Sequence, residues 1–173
     1  MKLKLVGPLA AGLLAICAGL AMAKAPSDEV KATIERFQKE DSSLAAVIKS
    51  AAAYAVFPSV KKGGLGIGGA RGSGELIEKG AAVGKTTLTQ VSIGFQAGGQ
   101  AYAELILFED AKAVAKFKES GFAFGAQVSA VAVKSGASAN AKYADGVKVL
   151  TMANGGLMYE ASVGGQKFKY SAY

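Results

Sequence analysis

Glycine recurs inside segments of this chain that otherwise have the composition of β-strands. More than half of residues 63–74 are glycine, and apolar residues such as Leu65 and Ile67 stand between them. Glycine inside a strand marks a bulge, a bend or a close approach of another backbone. The pattern therefore predicts a strongly curved sheet, a partial or closed barrel.

Alternating side chains indicate where the strands of this sheet lie. In residues 86–95, threonine, valine, isoleucine and phenylalanine alternate with other types, as in a strand with two unlike faces. The hairpin signal Gly164-Gly165 separates the last two predicted strands. The sequence predicts strands at 54–57, closed by Pro58, and at 65–70, 76–77, 86–95, 102–108, 126–133, 147–153, 157–163 and 167–170.

Three helices are predicted beside the strands. Ser27 can cap a helix that begins at Asp28 and carries Val30, Ile34 and Phe37 on one face. A second helix is predicted over residues 43–53 and a third over 109–120, ending before a glycine. The fold class is therefore α+β: a curved antiparallel β-sheet packed against amino-terminal helices and one central helix. The apolar stripe of the first helix fits either the protein core or a membrane surface.

The first 23 residues have the three parts of a secretory signal peptide. Lys2 and Lys4 give a positive start, residues 9–20 form an apolar run, and Ala21-Met22-Ala23 is the pattern that a signal peptidase accepts. The run is shorter than the ~20 apolar residues of a spanning helix. We therefore predict cleavage after Ala23 and export to the periplasm or cell envelope.

Two other fates of this segment stay open. An uncleaved segment would act as a membrane anchor, and lipid attachment at Cys17 would make the protein a lipoprotein. Cys17 is the single cysteine of the chain, and bulky Ile16 precedes it where a lipid-attachment signal has a small residue. Cleavage after Ala23 removes Cys17, so the mature chain would fold without disulfides.

Residues 24–173 are long enough for a single domain with its own core. Removing Lys2 and Lys4 lowers the net charge from +7 to +5. A basic surface favours acidic partners such as phospholipid headgroups. We expect no nucleic acid partner, because the protein is predicted to be exported.

Two glycine-rich segments resemble nucleotide-binding loops without meeting their requirements. Residues 64–69 have the spacing G-x-G-x-x-G, but the glycines that follow do not continue as a helix. Gly84-Lys85-Thr86 resembles the end of a P-loop, but Lys79 stands where that loop needs glycine. We predict no cofactor.

Catalytic and metal-binding groups are also scarce. The chain has no histidine, so a histidine-based triad and the commonest metal ligand are excluded. We interpret the acidic residues of the middle segment as solvated or helix-capping groups, namely Glu75, Glu78, Glu104, Glu109 and Asp110. The sequence predicts no enzyme and no metal site. Spacing alone leaves a hydrolase with Ser-Lys or paired-carboxylate chemistry as an alternative.

The segment from Phe57 to Gly74 closely resembles the opening motif of the SYLF domain, also called the Ysc84 actin-binding domain. Its Phe-Pro pair, basic position, Gly-Gly pair and alternating glycines carry the likeness. The resemblance continues at 94–100, 105–108, 122–131 and 156–158, and so covers about residues 43–169. It implies a lipid-binding domain, with phosphoinositides as ligands of eukaryotic members, some of which also bind actin.

We predict non-catalytic binding of anionic phospholipid, with phosphoinositide-like headgroups, at an envelope membrane surface. Lys61, Lys62 and Arg71 border the glycine-rich segment and are the candidate lipid-binding residues. An envelope module that binds a protein partner is the first alternative function, and an undescribed hydrolase is the second.

Processing gives a direct test of the predicted signal peptide. The intact mass of the exported protein should match a chain that begins at Lys24. A lipid-modified chain that begins at Cys17 would contradict this prediction.

Overall fold

The computed structural model describes residues 22–65, 67–93, 99–119, 121–155 and 163–173. The predicted signal peptide therefore lies outside the described residues, apart from its last two. The described residues form four helices and seven strands: α1 (Asp28–Glu40), α2 (Leu44–Ser50), β1 (Ala53–Leu65), β2 (Ile67–Glu78), β3 (Ala81–Ile93), β4 (Gly99–Phe108), α3 (Ala111–Lys118), β5 (Ala130–Ala132), α4 (Ala137–Asn140), β6 (Val147–Ala153) and β7 (Lys167–Ala172).

The strands form one sheet in the order β5-β6-β4-β1-β2-β3-β7. All neighbouring pairs are antiparallel except β5 and β6, which are parallel. The predicted α+β class is confirmed, and the sheet is open rather than a closed barrel.

The sheet is strongly curled, and its aromatic contacts show how far. β7 and β1 are separated by two strands, which would hold them about 14 Å apart in a flat sheet. The ring centroids of Phe57 on β1 and Phe168 on β7 are nevertheless only 5.9 Å apart. The β7 edge therefore bends back over the inner face, which we call the concave face.

Helices cover both faces of the sheet. On the concave face, Val114 and Phe117 of α3 pack with Phe57 and Phe168 in one buried cluster. On the opposite, convex face, Phe37 of α1 and Leu44 at the start of α2 pack in a second cluster with the outward side chains of β1, β2 and β4. Part of the convex face of β1, β2 and β3 is not covered by these helices and is exposed, for example at Lys61, Arg71 and Thr89.

The first helix forms as the sequence predicts. The Ser27 hydroxyl accepts a hydrogen bond from the Val30 amide, and Asp28 and Glu29 lie in the first turn near the positive end of the helix. Val30 and Phe37 are buried against the sheet. The apolar stripe of this helix therefore belongs to the protein core and is not a membrane-facing surface.

Several predicted boundaries are wrong. Pro58 does not end the first strand, because β1 continues through an irregularity in register between Val56 and Ser59, where the missing amide of proline is tolerated. The predicted strands 65–70 and 76–77 are one strand, and 126–133 shrinks to three residues. The hairpin partner 157–163 lies almost wholly outside the described residues, and β7 pairs with β3.

Close packing explains why glycine is needed in β2. A Cβ atom on Gly72 would lie 2.8 Å from Cγ2 of Val60. One on Gly74 would lie 2.9 Å from Cδ1 of Phe57 and still closer to the Val56 carbonyl. Both glycines face the irregular part of β1, so they allow the two backbones to approach where the sheet bends. Gly66 lies outside the described residues.

Substitution of Gly74 should therefore destabilise the fold. We expect Gly74→Ala to lower the free energy of unfolding by about 1–3 kcal/mol, the usual cost of overpacking. Gly99→Ala is the matched control, because the nearest atom to its added Cβ would be 4.0 Å away. Urea unfolding curves measure both variants. If Gly74→Ala is as stable as the unsubstituted chain, β1 and β2 are not tightly packed at Gly74.

Candidate functional site

The structure brings together two of the three predicted lipid-binding residues. Lys61 on β1 lies directly opposite Arg71 on β2, and both side chains are exposed on the convex face. Lys62 is half-buried, and its register partner Ala70 belongs to the concave cluster. Because successive side chains of a strand point to opposite faces, Lys62 lies on the concave side, apart from the other two.

Two further lysines extend the pair across the sheet. Thr89 of β3 connects them by register, because it lies opposite Arg71 on one side and Lys167 of β7 on the other. Lys169 lies in the next row along β7, and both β7 lysines are exposed. We call the group formed by Lys61, Arg71, Lys167 and Lys169 the basic face.

The basic face is compact and positively charged. Neighbouring strands lie about 4.8 Å apart, so Arg71 and Lys167 are separated by about 10 Å and Lys61 is closer to Arg71. The Debye length is about 8 Å at physiological salt, so Lys61 and Arg71 lie within it, whereas Lys167 lies just beyond it and its charge is partly screened from Arg71. None of the four side chains forms an ion pair with a described residue. Like charges directly opposite each other weaken a sheet. The fold therefore keeps a repulsive pair at Lys61 and Arg71.

Acidic groups begin in the row beyond the basic face. Glu75 lies opposite Lys85, and its carboxylate accepts hydrogen bonds from the Ser27 amide at 3.0 Å and the Tyr173 hydroxyl at 2.9 Å. Glu75 and Glu29 also line a cavity of about 290 Å³ beneath the first turn of α1. Lys85 lines the same cavity and offsets part of their charge, but the two carboxylates together still disfavour an anion there.

A row with little side-chain bulk lies on the other side of the basic face. Gly63 pairs with Gly69 and with Gly99, and Gly69 lies opposite Val91. The Val91 side chain is 78% exposed. Backbone and one apolar side chain are therefore accessible next to the cations, so a flat ligand surface can come close.

A buried acidic residue lies on the concave face. Glu104 of β4 is fully buried, so the interpretation that it is solvated or caps a helix is wrong. Its Oε2 accepts a hydrogen bond of 3.0 Å from Nε2 of Gln166, which also donates to the Tyr102 hydroxyl at 3.3 Å. Burial raises the pKa of Glu104 to about 8, although the bond from Gln166 lowers it. Asp110, in contrast, caps α3 as predicted, accepting from the Ala113 amide at 2.8 Å.

A second buried carboxylate has a structural role. Asp41, after α1, accepts hydrogen bonds from the amides of Ser43, Gly136 and Ser138 and from the Ser43 hydroxyl. Burial acts to raise the pKa of Asp41, but these bonds outweigh it and hold the pKa well below its usual value. Asp41 therefore fastens the α1–α2 corner to the start of α4.

Neither metal coordination nor helical membrane insertion is seen in the part of the chain that the structure describes. No group of three or more Cys, Asp or Glu side chains there is placed to hold a metal ion. No helix among the same residues is both long and apolar enough to cross a bilayer.

Residues 89–171 match the family model Ysc84, described as a Las17-binding protein actin regulator. Residues 89–171, just under half of the chain, are therefore a Ysc84-family segment. Beta cell expansion factor A from Aeromonas veronii is 31% identical over 136 residues, which are 77% of this chain and 51% of that protein. The chain thus spans about half the length of this curated relative.

The Ysc84 match divides the basic face. Lys167 and Lys169 lie inside the matched segment. Lys61 and Arg71 precede it and lie in the segment from Phe57 to Gly74 that resembles the SYLF domain. The family is one of binding domains, and its members point to lipid or actin-related binding as the general role. The matched segment also contains Glu104 and Gln166.

Proposed function

We propose that the protein binds anionic phospholipid at an envelope membrane surface, without catalysis, through the basic face. One observation carries this proposal: four exposed cations lie together on an open sheet surface, without ion-pair partners among the described residues. The Ysc84 match supports a binding role, and the basic face is the surface that we propose for it.

The shape of the basic face favours a lipid surface over a single small ligand. The four cations come from three strands and rise from a sheet rather than lining a pocket. A membrane presents many phosphates in one plane, so each cation can meet a different headgroup. Arg71 can bind one phosphate through two parallel hydrogen bonds, whereas lysines act as point charges. Val91 is placed to make a shallow apolar contact beside them.

A protein partner is the alternative function, because the family description names Las17 binding for other members. An acidic protein would be attracted by the same cations. A vesicle-binding assay distinguishes the two functions. A lipid-binding protein should bind vesicles in the absence of any other protein, whereas a protein-binding module should not. A hydrolase, the second alternative, would release product from a labelled lipid.

The location at an envelope membrane rests on the predicted signal peptide of residues 1–23. Export to the periplasm or cell envelope would place the mature chain beside bilayers that contain anionic lipids, so phosphatidylglycerol is a suitable probe. Phosphoinositide-like headgroups carry the same phosphate chemistry at higher charge, and vesicles containing them test that finer preference.

Charge removal tests the basic face directly. Each basic residue near an anionic surface is worth about 1 kcal/mol, so replacing all four of its residues by Gln should weaken vesicle binding by a factor of at least ~100. Binding of the unsubstituted chain should also weaken between about 0.1 M and about 1 M salt, as the Debye length falls from ~10 Å to ~3 Å. Flotation with vesicles of phosphatidylglycerol and phosphatidylcholine measures both effects.

A control with the same change in net charge separates a specific surface from general attraction. Exposed lysines outside the strands that carry the basic face supply it when replaced together by Gln: Lys112, Lys116, Lys134 and Lys142. We expect the control to bind nearly as well as the unsubstituted chain, and both variants to fold, since exposed charges add little stability. Equal losses in the two variants would exclude a specific basic face. Absence of binding in the unsubstituted chain would exclude the lipid function.

A further inference from the structure

One buried side chain links two strands that are not neighbours in the sheet. β1, β2 and β3 lie between β4 and β7. Gln166, the residue before β7, nevertheless donates hydrogen bonds to Glu104 and Tyr102 of β4, at 3.0 and 3.3 Å. These bonds cross the concave face and fasten the beginning of β7 to the middle of the sheet. The next residue, Lys167, belongs to the basic face.

The link is fully buried and only partly satisfied. Glu104 and Gln166 are 0% exposed and Tyr102 is 2% exposed. Oε1 of Glu104, Oε1 of Gln166 and the hydroxyl of Thr151, which lies opposite Glu104 on β6, have no partner among the described residues. An ionised carboxylate only accepts hydrogen bonds, whereas a protonated one also donates. A proton on Glu104 therefore adds a donor to a cluster that has unpaired acceptors.

The elements packed around Glu104 bring no positive charge to it within the described part of the chain. β1 places Phe57 opposite Glu104, and β6 places Thr151 there. The titratable group nearest along β4 is the Tyr102 hydroxyl, whose pKa is raised by burial and by the charge of Glu104. Lys62 is on the same face but pairs with Gln100, four residues along β4, so it is about 13 Å away.

The remaining charged groups on this side are engaged elsewhere. Tyr170 of β7 donates its hydroxyl hydrogen bond to the Val83 carbonyl. Lys118 of α3 forms a salt bridge with Glu78. An ionised Glu104 would therefore be a buried charge without a counter-ion among the described residues, which folded proteins disfavour strongly. Burial accordingly raises the pKa of Glu104 to about 8.

We propose that Glu104 and Gln166 form a proton-dependent latch, which holds the β7 end of the basic face in place while Glu104 is protonated and opens when the proton is lost. The latch itself follows from the contacts on the concave face. Its effect on membrane binding rests on the function proposed above, because only there do Lys167 and Lys169 meet the lipid.

The direction of the pH effect follows from the two pKa values of Glu104. In an opened, hydrated state its pKa returns to the ordinary value of about 4.3, whereas in the closed state it is about 8. The closed state therefore binds the proton more tightly and is most favoured at acidic pH. The opening constant should rise about tenfold per pH unit between about pH 5 and about pH 8, and then level off.

Hydrogen exchange of the amides of residues 167–170 measures this opening without lipid. After correction for intrinsic exchange, the opening constant of the unsubstituted chain should follow the stated rise and plateau. In Glu104→Gln it should not depend on pH, because the carboxamide cannot ionise. Gln166→Met, which removes the link at similar volume, should be open more often than the unsubstituted chain at about pH 5.5. A pH-independent opening constant in the unsubstituted chain, or the same slope in Glu104→Gln, would overturn the latch.

Vesicle binding tests the coupling separately. The chain has no histidine, the side chain whose charge ordinarily changes in this range, so the basic face alone predicts no change between about pH 5.5 and about pH 8. The latch predicts weaker binding to phosphatidylglycerol vesicles at the higher pH, and equal binding at both pH values for Glu104→Gln. If exchange shows the latch but vesicle binding is independent of pH, the coupling is wrong and the latch stands. If no vesicles bind at either pH, the proposed function fails.

Discussion

The curl of the sheet is the constraint on which the other features depend. Phe168 of β7 packs 5.9 Å from Phe57 and 5.2 Å from Phe117 of α3, measured between ring centroids. This contact is possible because the sheet bends where glycines of β2 allow close approach to β1. As Phe168 turns inward, the alternation of the strand turns Lys167 and Lys169 outward. The same packing therefore builds the core and completes the basic face.

Local patterns in the sequence predicted much of the fold. The cap at Ser27, the start of α1 and the extent of β6 agree with prediction, because each depends on residues close together in the chain. The path of β1 through Pro58 was missed, since the irregularity that accommodates proline is set by pairing with β2 and β4. The pairing of β7 with β3 was missed for the same reason: a strand's partner is a property of the whole sheet.

The candidate site was predictable only in part. Lys61 and Arg71 are ten residues apart, and a hairpin places them opposite each other, so proximity in sequence pointed to the right pair. Lys62 was grouped with them by proximity alone, although strand alternation sends it to the concave face. The alternation of Lys167, Phe168 and Lys169 was visible in the sequence, but only the sheet order brings those lysines near Arg71. Glu104 has the same strand parity as Tyr102 and Ile106, and this was the available signal that it faces inward.

The central claim is that the convex face of the sheet, and not the α3 side, meets the membrane. Ser73 is exposed on the convex face in the same row as Lys169, and Ala115 is exposed on α3, which packs on the concave face. With the single cysteine removed as Cys17→Ser, a cysteine at either position can carry an environment-sensitive dye. On adding phosphatidylglycerol vesicles, the dye at position 73 should report a less polar surrounding and the dye at 115 should not change. A change at 115 without one at 73 would contradict the account.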